Sequence, residues 1–377
     1  MAAKFDFDSP TVRAGTWSTR WDRYAEHDVI PLWVADTDFR APRAVLDALA
    51  ARVEHGVLGY TQPPQALREA IVERMRRLYR WQIDAGWIVF LPGVVPGLHL
   101  AARALVGPAE HALVPTPIYQ HFKSALELAP RAHTDLPLVL ERGRWVYDLD
   151  RVRGAMRPET RAFFLCNPQN PGGTIFTAAE LAALAEATRD AVIVSDEIHC
   201  DLLLDEGKPH VPIASLAPEI CRRTVTLMSP NKAYNFPGAG CAWAIVEDPA
   251  LRRAFAADVT AHLVPSATVF GYVASLAALR DASGWLEAQL AYLRANRDLV
   301  EGGTGLPMAH VEATYLRWID CRGLPVKDAY AHFLAHGVAL SPGTQFRAPG
   351  FVRLNFGTQR SRLEEALRRM RGALAQA

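Results

Sequence analysis

The sequence has few of the features that mark secreted, metal-binding or membrane proteins. Its 377 residues include five cysteines, which are odd in number, widely spaced and without a CxxC pair. We therefore expect neither a disulfide framework nor a metal site, and a reducing cytoplasm fits best. Residues 1–8 lack the apolar core of a secretory signal, and no run approaches the roughly 18 apolar residues of a membrane span. These absences predict a cytoplasmic protein that does not enter a membrane.

An excess of charge of either sign is also missing. The 41 Lys and Arg residues nearly balance the 40 Asp and Glu residues, which leaves a net charge of +1. This balance gives no reason to expect nucleic acid or a membrane surface as a partner. The local group Arg74, Arg76, Arg77 and Arg80 lies in a segment with helical apolar spacing, so it is interpreted as a solvated helix face. The length favours two domains with substantial cores.

Short apolar runs alternate with helical patterns between residues 87 and 246. The apolar runs are 88–91, 112–115, 162–166, 191–195, 225–228 and 242–246. The helical patterns between them include 97–106, 119–128 and 177–189, the last opened by the capping box Thr177–Glu180. Strands that are apolar on both faces and separated by helices predict an α/β fold with a mostly parallel sheet covered on both sides.

The hydrophobic pattern of the sequence changes near residue 270. A long amphipathic helical pattern follows, and then shorter strand-like pieces at 314–319, 337–340 and 351–356, before a basic helix at the carboxyl terminus. This order predicts a second, smaller α+β domain. The predicted large domain spans residues 40–270, and the small domain combines residues 1–39 with 271–377.

Lys232 lies where a buried strand is expected to end. The apolar run 225–228 passes into Ser229, Pro230 and Asn231, which are residues that end strands and begin turns. A lysine held there is partly desolvated, which lowers its pKa and makes it a usable amine for a Schiff base. Taken alone, a surface lysine in a loop is the commoner interpretation.

Two polar residues follow neighbouring apolar runs. Asp196 follows 191–194 at the carboxyl end of a predicted central strand, where open α/β sheets bind ligands. A carboxylate there suits a protonated pyridine nitrogen, although a capping or metal-binding aspartate is the alternative. Asn170 lies in the proline- and glycine-rich loop 167–173, which is a rigid mount for an amide that donates to a phenolic oxygen, or an ordinary turn.

A third element is a glycine turn between a strand and a helix. The stretch 91–97 contains Gly93 and Gly97, and backbone amides at a helix N-terminus suit a phosphate. A glycine loop is weak evidence when it stands alone.

Together these motifs resemble the fold-type I pyridoxal 5'-phosphate-dependent enzymes, the class I/II aminotransferase superfamily. They occur in family order along essentially the whole chain, at 93–97, 167–173, 195–197, 229–232 and 351–357. The resemblance is greatest to the MalY/PatB-type C–S lyases, which are cystathionine β-lyases of aminotransferase fold. The stretches that support it are 31–39, 59–61, 92–97, 195–199 and 348–356. It implies a seven-stranded, mostly parallel sheet between helices and a smaller α+β domain.

The resemblance also implies a role for each site residue. Lys232 carries the cofactor as a Schiff base, Asp196 pairs with its pyridine nitrogen, and Arg353 clamps the substrate α-carboxylate. Asn170 holds the phenolic oxygen and Tyr119 stacks on the ring, and both also face the substrate. The remaining cofactor contacts are His199 near the phenolic side, and Ser229 with the amides of Val94 and Val95 on the phosphate.

His199 and Tyr60 each also have a purely structural interpretation. His199 is equally interpretable as a structural histidine with satisfied hydrogen bonds. Tyr60 is expected to reach the phosphate from a partner subunit, which implies a homodimer with shared active sites, and the alternative is a loop tyrosine that caps a core.

The sequence departs from the family pattern at three positions. Gly240 stands eight residues after Lys232, where many aminotransferases of the superfamily carry a phosphate-binding arginine that the C–S lyases tend to lack. Gln169 replaces a usual histidine and Thr37 a usual methionine, and both changes are expected to affect the substrate pocket.

The expected function is therefore that of a C–S β-lyase. It would cleave cystathionine- or cysteine-type L-amino acids to pyruvate, ammonia and a thiol. An aminotransferase needs the same lysine, aspartate and arginine and remains the alternative. A regulator or binding module built on the same fold is a third interpretation, which the complete set of site residues disfavours.

Overall fold

The computed structural model describes residues 5–377. Residues 1–4, part of the segment expected to lack a secretory signal, lie outside this range. The strands are β1 Ile30–Pro31, β2 Ile88–Leu91, β3 His111–Thr116, β4 Ala132–Pro137, β5 Val139–Glu141, β6 Arg144–Val146, β7 Thr160–Cys166, β8 Val192–Asp196, β9 Thr224–Met228, β10 Ala242–Ile245, β11 Leu316–Asp320, β12 Val338–Ala339, β13 Ser341–Pro342 and β14 Phe351–Asn355. The helices are α1 Arg43–Glu54, α2 Gln65–Tyr79, α3 Val94–Leu105, α4 His121–Leu128, α5 Leu149–Ala155, α6 Ala178–Ala187, α7 Pro218–Arg222, α8 Pro249–Thr260, α9 Val269–Arg280, α10 Trp285–Gly303, α11 Ala329–Ala335 and α12 Arg360–Leu374.

The central element is a seven-stranded sheet with the order β2-β10-β9-β8-β7-β3-β4. Strand β10 runs antiparallel to both of its neighbours, whereas β9, β8, β7, β3 and β4 pair in parallel. The predicted α/β fold with a mostly parallel seven-stranded sheet is therefore confirmed. Strand β8 occupies the middle of the sheet and ends at Asp196, the position predicted for that carboxylate.

Burial on both faces explains why these strands form. Every residue of β3 and β9 is buried, as expected for parallel strands with helices on both sides. Helix α3 packs closely on the sheet because Gly97 has no side chain. A Cβ at Gly97 would lie 2.9 Å from a methyl carbon of Leu227 and 3.0 Å from one of Leu91. This close approach fixes the N-terminus of α3 beside the carboxyl ends of the strands.

The C-terminal part of the chain forms a second, smaller sheet. Strand β14 lies between β11 and β13, and both pairings are antiparallel. The N-terminal segment joins this part, since β1 pairs in parallel with β12 and Phe7, Leu32 and Phe39 enter the same apolar core. The division at residues 40 and 270 into two domains stays a prediction.

One strand was not predicted from the sequence, and one local interpretation is wrong. Strand β4 was not predicted, because it is an edge strand whose side chains are mostly exposed or half-buried and include His133, Thr134 and Asp135. The interpretation of Arg74 as part of a solvated helix face is wrong. Arg74 is buried, and its guanidinium contacts the carboxylate of Asp201. One arginine of this group on α2 therefore faces the protein interior and not solvent.

The capping box at Thr177 and Glu180 is present as predicted. Within residues 5–377, none of the helices combines the length and apolar character that crossing a membrane requires.

Candidate active site

A cavity of about 360 Å³ lies where the ends of the large-sheet strands face the small sheet. Its walls come from the loops after β7, β8 and β9, from the N-terminus of α3 and from β14. Most of the residues singled out from the sequence line it: Val94, Val95, Tyr119, Asn170, Asp196, His199, Lys232 and Arg353. The fold therefore gathers residues that are up to 259 positions apart, from Val94 to Arg353, around one space.

The Lys232 amine is held inside this cavity by a backbone carbonyl. Its Nζ donates to the carbonyl oxygen of Ala35 at 2.6 Å, and the Tyr315 hydroxyl donates to the same oxygen at 3.0 Å. Burial lowers the pKa of Lys232 to about 8, with a contribution from the positive charge of Arg353, and nearby Asp36 and Asp196 oppose the change. Near pH 8 the amine is therefore neutral in about half of the molecules, as a nucleophile or base requires.

Asp196 is a buried carboxylate at the end of the central strand. It accepts a hydrogen bond from the backbone N–H of Ile198 at 3.0 Å. Burial raises the pKa of Asp196 to about 7 and the negative charge of Glu197 adds to the effect, whereas the Ile198 hydrogen bond and Lys232 oppose it. Such a carboxylate is stabilised by a cationic N–H placed beside it.

Arg353 reaches the cavity from β14 and contacts the loop that carries Asn170. Its Nη1 donates to Asn170 Oδ1 at 3.1 Å, and its Nη2 donates to the Trp33 carbonyl at 2.9 Å and to Ser341 Oγ at 3.3 Å. The buried Nε has no hydrogen-bond partner in the described structure, and the guanidinium lies 4.8 Å from the ring centroid of Phe346. Burial lowers the pKa of Arg353 to about 10, so the group stays charged at neutral pH.

Two ring side chains complete the walls beside Lys232. Burial raises the pKa of the Tyr119 hydroxyl, so this residue stays a neutral phenol. Burial, with the nearby charges of Lys232 and Arg353, lowers the pKa of His199 to about 3. His199 is therefore a neutral imidazole at physiological pH, and its Nδ1 has no hydrogen-bond partner in the described structure. A satisfied structural histidine would have a partner for both nitrogens, so this geometry favours a role in the cavity.

The N-terminus of α3 supplies an anion site. Val94 and Val95 are the first residues of this 12-residue helix, and Gly93 before them makes no side-chain cap. Amides in the first turn of a helix have no partner inside the helix, and the helix dipole favours negative charge there. The geometry thus fits a phosphate at the edge of the cavity.

The structure does not bring Ser229 and Tyr60 into this cavity. The Ser229 hydroxyl donates to the Cys241 carbonyl at 2.6 Å and accepts from the Asn231 N–H at 3.2 Å, so its single proton is already used. Tyr60 is fully exposed in the loop before α2. Its expected contact with a partner subunit's phosphate stays a prediction, and the expected contact of Ser229 has no support in this arrangement.

Gln169 and Thr37 do not line the cavity either. Gln169 is fully buried, where its Nε2 donates to the Pro117 carbonyl at 2.7 Å and its Oε1 accepts from the Gly172 N–H. It ties the loop of Asn170 to the loop that leads to Tyr119. Thr37 borders an adjoining cavity on the other side of Lys232. An effect of these two departures on the substrate pocket stays a prediction, and Gln169 would exert it through the loop that carries Asn170.

Several residues of the site were not found from the sequence. The carbonyls of Trp33 and Ala35 hold Arg353 and Lys232, and Tyr315 shares the Ala35 carbonyl. The stretch 31–39 was recognised as a motif, but no sequence signal says which backbone oxygens a fold turns toward a site. Gln345 and Phe346, which also line the cavity, lie between two recognised motifs.

Comparison with known proteins places the chain in a family. The model of the family "Aminotransferase class I and II" matches residues 27–370. Cystathionine beta-lyase PatB of Bacillus subtilis is 34% identical, over 98% of this chain and 100% of that protein. The crystal structure of OvoB is 44% identical and superimposes with a TM-score of 0.96, over 99% of this chain and 100% of the other.

A third relative is a pyridoxal phosphate-bound C–S lyase from Staphylococcus hominis, solved in complex with L-cycloserine. It is 28% identical, with a TM-score of 0.92 over 99% of both chains. The predicted fold, enzyme class and pyridoxal phosphate dependence are confirmed at the level of the family. This chain belongs to the class I and II aminotransferase family.

Proposed function

We propose that this protein is a pyridoxal phosphate-dependent C–S β-lyase that acts on L-amino acids with sulfur on Cβ. The arrangement of Lys232, Asp196 and Arg353 around one cavity supports the cofactor and the amino-acid substrate, and the backbone of Gly240 carries the choice of elimination over amino transfer. An amine with a pKa near 8, a buried carboxylate and a charged guanidinium are what binding and deprotonating an α-amino acid on this cofactor requires.

The residues present fit the cofactor. The N-terminal amides of α3 suit its phosphate, Asp196 offers a buried carboxylate for its ring nitrogen, and Lys232 offers an amine of lowered pKa for its aldehyde. Tyr119 lines the same cavity with an aromatic ring. When bound, pyridoxal phosphate supplies an electron sink that is conjugated with the substrate Cα.

The protein side chains then direct the reaction at Cα. Arg353 binds the α-carboxylate through a charge-assisted fork and orients the Cα–H bond. Lys232 would act as the base that takes the Cα proton, and the Ala35 carbonyl holds its amine within the cavity. Asp196 would hold the ring nitrogen of the cofactor in its protonated form. Because Asn170 Oδ1 accepts from Arg353, its Nδ2 is left to donate to the phenolic oxygen.

Elimination rather than amino transfer is favoured by position 240. Gly240 adopts φ +61, a left-handed conformation that side chains rarely adopt, and a Cβ there would lie 3.2 Å from the Pro92 carbonyl. The arginine that many aminotransferases place here would be strained in this backbone. The 34% identity to a protein named cystathionine beta-lyase points in the same direction.

We also propose that the enzyme is a homodimer. The loop that carries Tyr60 exposes Val57 and Leu58 together with the tyrosine ring, and three neighbouring exposed apolar side chains suit an interface. In the dimer Tyr60 would reach the phosphate site of the partner subunit. Light scattering of the purified protein measures the assembly, and a monomer at micromolar concentration would contradict it.

The activity is tested by following pyruvate from L-cystathionine, L-cysteine and L-djenkolate without any added keto acid. We expect sustained pyruvate and thiol release from at least one of them, and none from Lys232→Ala protein. Turnover that needs an added 2-keto acid and releases no pyruvate would instead establish an aminotransferase.

A further inference from the structure

A buried carboxylate outside the cavity joins the two halves of the site. Glu312 is 1% exposed, on the segment that leads into β11. Its Oε1 accepts from Arg144 Nε at 2.6 Å and from Lys208 Nζ at 2.9 Å, and its Oε2 accepts from the Ile175 N–H at 2.8 Å. One side chain therefore binds the loop after β7, the loop after β8 and the β5–β6 hairpin.

The backbone of Glu312 binds the same two loops. Its N–H donates to the Gly173 carbonyl at 3.0 Å, three residues after Asn170. Its carbonyl accepts from the N–H groups of Leu204 and Asp205 at 2.8 and 3.0 Å, in the loop that follows Asp196. The segment around Glu312 therefore lies between the loop that carries Asn170 and the loop that follows Asp196.

The approach of this segment to the Asn170 loop is close. Gly173 adopts φ +78, and a Cβ there would lie 3.2 Å from the Cα of Val311. A backbone packed this tightly transmits a displacement of Glu312 to the loop rather than absorbing it.

The same segment leads directly to Arg353. Strand β11 begins four residues after Glu312, and its Trp318 is paired in register with Arg353 on β14. The distance from the Arg353 guanidinium to Asn170 therefore depends on how the segment around Glu312 packs against the loops after β7 and β8.

From this geometry we infer that Glu312 is a positioning residue, which sets Arg353 against Asn170 and so determines recognition of the substrate carboxylate. The inference rests on the proposed amino-acid substrate, but not on which bond is cleaved. Replacing Glu312 by Gln puts an N–H₂ donor among three donors, which pushes the segment away from at least one loop. In enzymes a misplacement of about 1 Å costs on the order of 100-fold in rate, and we take this factor as the upper bound for the loss of carboxylate binding.

The test compares two ligands of the holoenzyme, followed by cofactor absorbance. L-Alanine presents an amine and a carboxylate but no leaving group, whereas methylamine presents the amine alone. In Glu312→Gln we expect about 10- to 100-fold weaker binding of L-alanine, with methylamine affinity and cofactor content unchanged. Neither ligand has a leaving group on Cβ, and the initial absorbance change, read before any keto acid forms, measures binding whether the enzyme proves to be a lyase or an aminotransferase.

Glu180→Gln is the matched control. Glu180 pairs with the same Arg144 at 2.7 Å, yet it lies on α6, where its carboxylate also accepts from the Thr177 N–H in the capping box. It should leave both affinities unchanged. If Glu312→Gln does not fold, Lys208→Met removes one donor from a half-exposed side chain, and about threefold weaker L-alanine binding is expected. Unchanged L-alanine affinity, or equal weakening of both ligands, in the folded variant would overturn the inference.

Discussion

Replacing Arg353 by lysine keeps the positive charge and removes the planar fork. In the structure the guanidinium donates hydrogen bonds to Asn170, the Trp33 carbonyl and Ser341. Its Nε has no hydrogen-bond partner in the described structure. A lysine ammonium is a compact point charge that cannot serve these acceptors and a carboxylate in the same plane. The substitution therefore tests whether geometry, beyond charge, recognises the substrate.

The magnitude follows from the hydrogen bonds that are lost. One charge-assisted hydrogen bond to a carboxylate contributes about 1.5–3 kcal/mol, which corresponds to about 10- to 150-fold in affinity. We expect KM for the sulfur amino acid to rise by that factor in Arg353→Lys, and the affinity for L-alanine to fall equally. Methylamine, which has no carboxylate, should bind the variant and the native enzyme alike.

Arg322→Lys provides a matched control. Arg322 also lies 4.8 Å from a phenylalanine centroid, but it is exposed and pairs with Asp320. Its replacement should change KM by less than about twofold. A native KM in Arg353→Lys, or an equal loss of methylamine binding, would refute the assignment of Arg353 to the carboxylate.

Three further predictions follow from the described residues. Reconstitution of the apoenzyme with pyridoxal phosphate needs the neutral Lys232 amine, so its rate should rise about tenfold per pH unit below pH 8 and level off above it. A rate that keeps rising through pH 8 to about pH 10 would contradict the lowered pKa. Arg74→Met leaves Asp201 as a buried unpaired carboxylate and should lower the free energy of unfolding by about 3–5 kcal/mol in urea titration, against less than about 0.5 for the exposed Arg76→Met. Tyr60→Phe should weaken retention of pyridoxal phosphate during dialysis without changing the dimer, and unchanged retention would exclude the phosphate contact.

The positions of Asp196 and Lys232 were predictable because they depend on local sequence patterns. Asp196 ends an apolar run and Lys232 follows another, and the carboxyl ends of parallel strands meet at one edge of a sheet. Periodicity and turn chemistry are therefore sufficient to place these residues at the strand ends. The helix start at Val94 was placed three residues late, at 97, because the glycine turn hides the first helical turn.

The other parts of the site depend on contacts that no local pattern reports. Glu312 meets Arg144 across 168 positions of the chain, and its sequence neighbours give no indication of burial. Arg74 sits in a row of arginines whose partners differ, since only the fold decides that Asp201 faces it. Ser229 follows the motif pattern, yet its hydroxyl donates to the Cys241 carbonyl instead of facing the cavity.

The number of turnovers per active site without a keto acid tests the account most directly. Purified holoenzyme is mixed with excess L-cystathionine, and pyruvate, ammonia and thiol are counted against the bound cofactor. We expect many turnovers per active site, with the three products in equal amounts. A reaction that stops at one amino group per site, and resumes only when a 2-keto acid is added, would contradict it.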